Sequence, residues 1–249
     1  MEIISHFSGI EWSLAFLAAF CIGLSKAGIR GIDVANVTIM ALVFGSKQST
    51  GIVLFLLCLA DVFAVMYYNR HAQWQYMKIL LPWLIIGVLM GVWIGQSMNE
   101  EVFKLVIGGI ILAAIALLLF FEYKKELDIP AGGLFGASMG IVSGLTTMLG
   151  NLAGAFTNVY FLALKLPKEK FIGTVSWLFL IINLFKVPFQ IYYWKNVNLD
   201  SLRIDLLMIP FVVAGFFVGT RIVKKLTNYS YRKMIIALTI IGAIVIFFR

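Results

Sequence analysis

Three cations and two carboxylates lie where an apolar chain has least reason to carry them. Lys26, Arg30 and Asp33 fall in FCIGLSKAGIRGIDVANV, residues 20–37, among Gly23, Gly28 and Gly31. Asp61 sits in LFLLCLADVFAVMYY, and Lys186 sits in LFLIINLFKVPFQIYYW. A charge near the centre of a bilayer costs about 2.5–3.5 kcal/mol on insertion scales, so such groups face protein or water. One reading is mutual pairing that fixes helix packing. Even full pairing leaves one positive charge over, and that surplus suits an anion. Ser25, Asn36, Thr146, Thr147 and Asn158 place hydrogen-bonding side chains in the same segments. The glycines allow close backbone approach. Asp33 and Asn151 are positioned to cap helices over 34–46 and 152–164. The N-termini of those helices carry partial positive charge and free N–H groups. Asp61 has a further reading as a proton site, because a buried carboxyl can hold its proton.

The chain that must position these groups is built for lipid. It has 249 residues, 61% hydrophobic and 13% charged, and a mean hydropathy of +0.97. No soluble domain of this size has so little polar surface, so the composition predicts an all-α polytopic membrane protein. The formal net charge of +8 belongs to short loops and forms no aromatic–basic stripe, which argues against nucleic acid as a partner. Cys21 and Cys58 lie in apolar runs and read as small core residues. No nucleophile set, metal-ligand spacing or cofactor motif is present, so neither an enzyme nor a cofactor is expected. MEIISHFSGIEW lacks a basic region followed by a cleavage site, and the first apolar run is expected to stay in the mature protein.

Ten apolar segments follow one another: 11–25, 32–46, 51–69, 78–96, 103–122, 132–147, 152–164, 171–193, 204–222 and 231–248. Six approach the roughly 20 residues a crossing needs. The other four form two pairs of short segments, joined by SKAGIRG and TTMLGN. Each pair predicts a broken helical hairpin that turns within the membrane. FEYKKELDIPAGG divides the chain into similar halves. Asn36-Val37 and Ala41-Leu42 match Asn158-Val159 and Ala163-Leu164 at one offset, which also sets Gly51 on Gly173 and Asp61 on Asn183. Pro82, Gly87 and Gly91 match Pro210, Gly215 and Gly219 at a second offset. The expected organisation is a first repeat over 1–123, a cytoplasmic linker over 124–131 and a second repeat over 132–249. Each repeat would hold a hairpin and three transmembrane helices. If neither hairpin makes a net crossing, Arg70, Lys124, Lys125, Lys165, Lys168, Lys170, Lys224, Lys225, Arg232 and Lys233 share one side. The positive-inside rule then puts the N-terminus outside, and the two repeats are inverted. Tyr67, Tyr68 and Trp74, and Tyr192, Tyr193 and Trp194, read as interfacial belts.

GLSKAGIRG, DVFAVMYYNRHAQWQYMKILLPWLIIGVLMGVWIG and FLIINLFKVPFQ together resemble the TauE/SafE family of sulfite exporters, over nearly the whole chain. GLSK and INLFK are the more specific parts, and GLTTMLGNLAG departs from the glycine–proline pattern often seen in the family. The resemblance implies an integral membrane carrier of sulfite or a related sulfur-containing anion, and it carries Lys26, Asn183 and Lys186 over as site residues. Arg30, Ser25, Asn36, Thr146, Thr147, Asn151 and Asn158 enter from the physical reading alone, with Asp33 and Asp61 as charge-pairing groups. The expectation is export across a bacterial inner membrane by alternating access, with the site where the two hairpins meet. An anion channel, or a proton-coupled carrier of another small organic anion, would use the same centre. The expected partners are the small anion and the lipid bilayer, and association of several copies stays open.

Overall fold

The computed structural model describes residues 7–123 and 132–247, so the expected linker over 124–131 lies outside the described residues. Among the described residues ten α-helices follow in order. They are α1 (Gly9–Lys26), α2 (Asp33–Phe44), α3 (Ser46–Tyr68), α4 (Trp74–Gln96), α5 (Glu100–Tyr123), α6 (Gly133–Gly150), α7 (Ala153–Ala163), α8 (Lys168–Tyr192), α9 (Leu199–Lys225) and α10 (Asn228–Phe247). Six of them, α1, α3, α4, α6, α8 and α9, are long and apolar enough to cross a membrane. The protein is therefore an all-helical, multi-pass membrane protein.

The hairpin turns follow from local chemistry. The turn after α1 needs left-handed backbone at Gly28 and Gly31, with φ of +115° and +98°. Only glycine adopts such angles without strain, and the pair brackets Arg30. The turn after α6 places Asn151 at φ 56°, a conformation asparagine tolerates better than most side chains. The arms are less equal than the sequence suggests. α1 and α6 have 18 residues each, whereas α2 has 12 and α7 has 11. The polar centres continue the first arms as helix. Thr146 Oγ1, for example, donates to the Ser143 carbonyl one turn back, 3.2 Å away, so it satisfies itself without breaking the helix.

The two hairpins enter from opposite ends of the bundle. Gly51, near the start of α3, packs against Asn196 just past the end of α8. Gly173, near the start of α8, packs against Tyr68 and His71 at the end of α3. The central helices α3 and α8 are thus antiparallel, and each follows directly on one hairpin. Each hairpin then lies against the other half of the chain. α1 packs most extensively on α9, and α6 on α4. At these crossings the Val212 and Phe20 carbonyls fill the room a side chain would need on Gly23 and Gly215. The Ile141 and Leu84 carbonyls do the same for Gly87 and Gly144. Between lipid-solvated helices, such backbone approach supplies the packing that apolar burial supplies in water.

The aromatic belts need correction at two positions. Tyr67, Trp74, Tyr192 and Tyr193 are exposed, as a belt requires. Tyr68 is buried and donates to the Ala27 carbonyl at 2.8 Å. Trp194 is buried and donates to the Val92 carbonyl at 3.2 Å. Both sit on the inward side of their helix ends, where an N–H or O–H finds backbone instead of headgroups.

Candidate functional site

The middle of the bundle is built on one ion pair. Lys26, in the last turn of α1, sets its Nζ 2.7 Å from Asp61 Oδ1 on α3. The other carboxylate oxygen accepts from Asn183 Nδ2 on α8 at 2.7 Å. Asp61 and Asn183 are repeat-matched positions, and they touch. The Phe179 ring, one turn from Asn183 on the same face of α8, lies beneath two cations. Lys26 Nζ is 4.7 Å and the Arg30 guanidinium carbon 5.1 Å from its centroid, which is cation–π range.

Arg30 is the unusual member. It is 0% exposed, and its Nε and both terminal nitrogens lack a hydrogen-bond partner among the described residues. A buried guanidinium ordinarily spends its donors on carboxylate or carbonyl oxygens, because leaving them bare costs several kcal/mol. The side-chain contact it does make is to one aromatic face, that of Phe179. The planar fork is free to hold two oxygens of an incoming oxyanion.

Lys186 has a different environment. Its Nζ donates to the Thr147 carbonyl and hydroxyl at 3.0 Å each, and to Asn151 Oδ1 at 2.7 Å. Asn151 Nδ2 donates in turn to the Thr50 carbonyl on α3 at 3.0 Å. This chain of bonds ties the second turn to α3 and α8 and occupies all three ammonium donors. Among the described residues no carboxylate lies within ion-pair distance of its Nζ.

The helix caps expected at Asp33 and Asn151 are absent. α2 has Ile32 and α7 has Leu152 at the cap position, neither with a side-chain cap bond. Asp33 is the first residue of α2, accepts from Ser25 Oγ, and lies against Gly154 in the first turn of α7. A carboxylate of the protein therefore occupies the place where two helix N-termini converge. Asn151 is held by Lys186 and caps the end of α6, not the start of α7. Thr146 bonds its own hairpin, with the Leu152 carbonyl at 3.5 Å as its second acceptor. Asn36 and Asn158 are buried, and the Oδ1 of each has no hydrogen-bond partner among the described residues.

The sequence-derived residues thus divide into two neighbouring groups. Lys26 and Arg30 lie over Phe179, Lys26 and Asn183 both meet Asp61, and Ser25 bonds Asp33, while Thr147, Asn151 and Lys186 form the second turn. Asn183 and Lys186 stand one turn apart on α8 and join the groups. Phe179 was legible as the first member of a 179, 183, 186 stripe at helical spacing, but an aromatic in an apolar run carries no mark of its own. Asp205 on α9 is a second addition. It is 1% exposed, and neither carboxylate oxygen has a hydrogen-bond partner among the described residues. By the second repeat offset, which pairs Pro210 with Pro82, it corresponds to Met77, a buried apolar residue. Asp205→Met is expected to raise the thermal unfolding midpoint in detergent, since removing an unpartnered buried polar group is worth on the order of 1–3 kcal/mol. A lowered midpoint would show that the acid has a partner in the native protein.

Comparison with known proteins follows the same lines. The family model described as sulfite exporter TauE/SafE matches residues 15–246, nearly the whole chain. A putative multidrug resistance protein, MdtD, of Yersinia enterocolitica is 22% identical over 185 residues, covering 71% of this chain and 39% of that relative. The chain thus spans well under half the length of this curated relative. No solved structure matches.

Proposed function

Because the chain belongs to the TauE/SafE sulfite exporter family, we propose that it exports sulfite or a similarly small sulfur-containing oxyanion from the cytoplasm, bound between Arg30, Lys26 and Phe179. The observation that carries this reading is the fully buried Arg30 fork with no hydrogen-bond partner. Sulfite presents three oxygens on one sulfur, so two can meet the fork. Lys26 is neutralised in part by Asp61 and contributes mainly field. Lys186 keeps the second turn in place and adds unpaired positive charge from the other side.

The basic helix ends are read as cytoplasmic, which puts the N-terminus outside. With the interior negative, each anionic charge moved outward gains about 2.3 kcal/mol per 100 mV. That gradient drives export without ion coupling. The contact of repeat-matched Asp61 and Asn183, and the exchange of hairpins between halves, support an inverted repeat whose halves rock about the centre. Ser25, Lys26, Arg30, Asp61 and Asn183 are all buried, which supports an occluded carrier state over an open pore.

The test uses purified protein in liposomes loaded with sulfite, thiosulfate, sulfoacetate or sulfate. Saturable efflux of one sulfur oxyanion, accelerated by an inside-negative potential and by the same anion outside, is the expected result. Efflux that never saturates and shows no exchange assigns a channel. Absence of efflux for all four removes the sulfur-oxyanion reading.

A further inference from the structure

At the basic end of the bundle, α3, α8 and α9 leave a cavity of about 560 Å³ between their ends. Its walls carry Arg70, His71, Lys168 and Lys224 against a single acid, Glu169. Lys168 is already engaged. Its Nζ donates to the Val223 carbonyl at 3.1 Å and to the Leu226 carbonyl, and it pairs with Glu169 at 3.5 Å. Lys224 lies over the Tyr67 ring at 5.4 Å, which leaves its donors to solvent. The cavity therefore has an acid that is already paired and cations to spare.

The cavity's inner lining includes Tyr68, Ile172 and Val223. These side chains touch the first hairpin turn. Tyr68 Oη donates to the Ala27 carbonyl at 2.8 Å. Ile172 and Val223 close over Gly28, where an added Cβ would stand 2.7 Å from Ile172 Cδ1. Two residues further along the chain stands Arg30. The inner wall of the cationic chamber is thus packed on the hairpin turn that carries the unpartnered guanidinium.

We propose that this chamber is where the transported oxyanion collects, and that Tyr68, Ile172 and Val223 form the closed floor between it and Arg30. The proposal rests on the transporter reading above. The chamber selects by charge, through Arg70 and Lys224. It is wide enough for an anion that keeps part of its hydration, so selection by shape is left to the fork beyond. A phosphate headgroup of an anionic lipid has the same charge chemistry and is the competing occupant.

The test does not depend on which anion is carried. Met66→Cys puts a thiol on the exposed lining and Tyr68→Cys puts one on the floor. Each is reacted with an anionic and a cationic methanethiosulfonate reagent in phosphatidylcholine nanodiscs. The parent chain, which retains Cys21 and Cys58, provides the blank. After correction for reactivity with a free thiol, the anionic reagent is expected to react about 10-fold faster than the cationic one at both positions. Arg70→Gln with Lys224→Gln should bring the ratio near one, and added sulfate should slow the anionic reaction. Equal rates in the parent charge background, or a floor thiol that neither reagent reaches, would overturn the chamber. Slowing by phosphatidylglycerol but not by sulfate would give the site to lipid and overturn it as well. Either failure can occur with sulfite efflux intact, so it is distinct from failure of the transport reading.

Discussion

Lys26→Met is expected to destabilise the protein by about 3–5 kcal/mol, the usual result of removing one partner of a buried ion pair. Asp61 is 0% exposed and has Asn183 as its other partner, so its charge would be left to a single amide. Asp61→Asn alone should harm less, because Lys26 retains the Phe179 face. The double variant, Lys26→Met with Asp61→Asn, should recover most of the lost stability. Two facing amides at 61 and 183 can still bond, and no bare charge remains. The measurement is thermal unfolding in detergent for all four forms, read as a double-mutant cycle. A strongly non-additive cycle is expected, since the residues touch at 2.7 Å. Additive losses would mean that the pair contributes nothing as a pair. Sulfite binding should weaken in the double variant even where folding is restored, because the cation beside Arg30 is gone, but less than in Arg30→Gln, since the pair's net charge is unchanged.

Much of this centre was legible before any coordinates. An apolar chain reveals its exceptions, and Lys26, Arg30, Asp61 and Lys186 stood out because charge inside lipid is costly. The repeat offset that set Asp61 on Asn183 already joined two positions that prove to be in contact. What the sequence could not supply was the assignment of partners. Three cations and two carboxylates can pair in several ways, and spacing along the chain does not choose among them. Asp33 and Asn151 have good capping side chains, yet tertiary partners claimed both. Ser25 took Asp33, and Lys186 took Asn151. Local propensity loses to a buried charge that needs an acceptor. Asp205 was missed for another reason. It lies at the edge of an apolar segment, beside Arg203, where an acid reads as solvent-facing. Arg203 instead pairs with Asp200 at 3.1 Å and leaves Asp205 buried.

Arg30→Gln separates binding from folding more sharply than any other substitution in the centre. The guanidinium makes no hydrogen bond to the protein, so its removal breaks none. It gives up one cation–π contact, worth about 0.5–2 kcal/mol, and relieves the desolvation of a buried charge. These terms oppose each other, and the unfolding midpoint should move little. Binding should behave otherwise. Two charge-assisted hydrogen bonds at about 1.5–3 kcal/mol each are lost to the oxyanion, which corresponds to a fall in affinity of roughly 100-fold or more. Arg30→Lys keeps the charge but loses the fork, so it should bind with intermediate affinity. Calorimetry with sulfite, alongside thermal unfolding of the same preparations, reads both quantities. If Arg30→Gln instead lowers the midpoint as Lys26→Met does while sulfite still binds, the guanidinium is holding the hairpin turn and the anion sits elsewhere. If binding collapses on an unchanged fold, the two left-handed glycines that flank Arg30 acquire a purpose. They let the chain turn tightly enough to leave a bare cation at its tip.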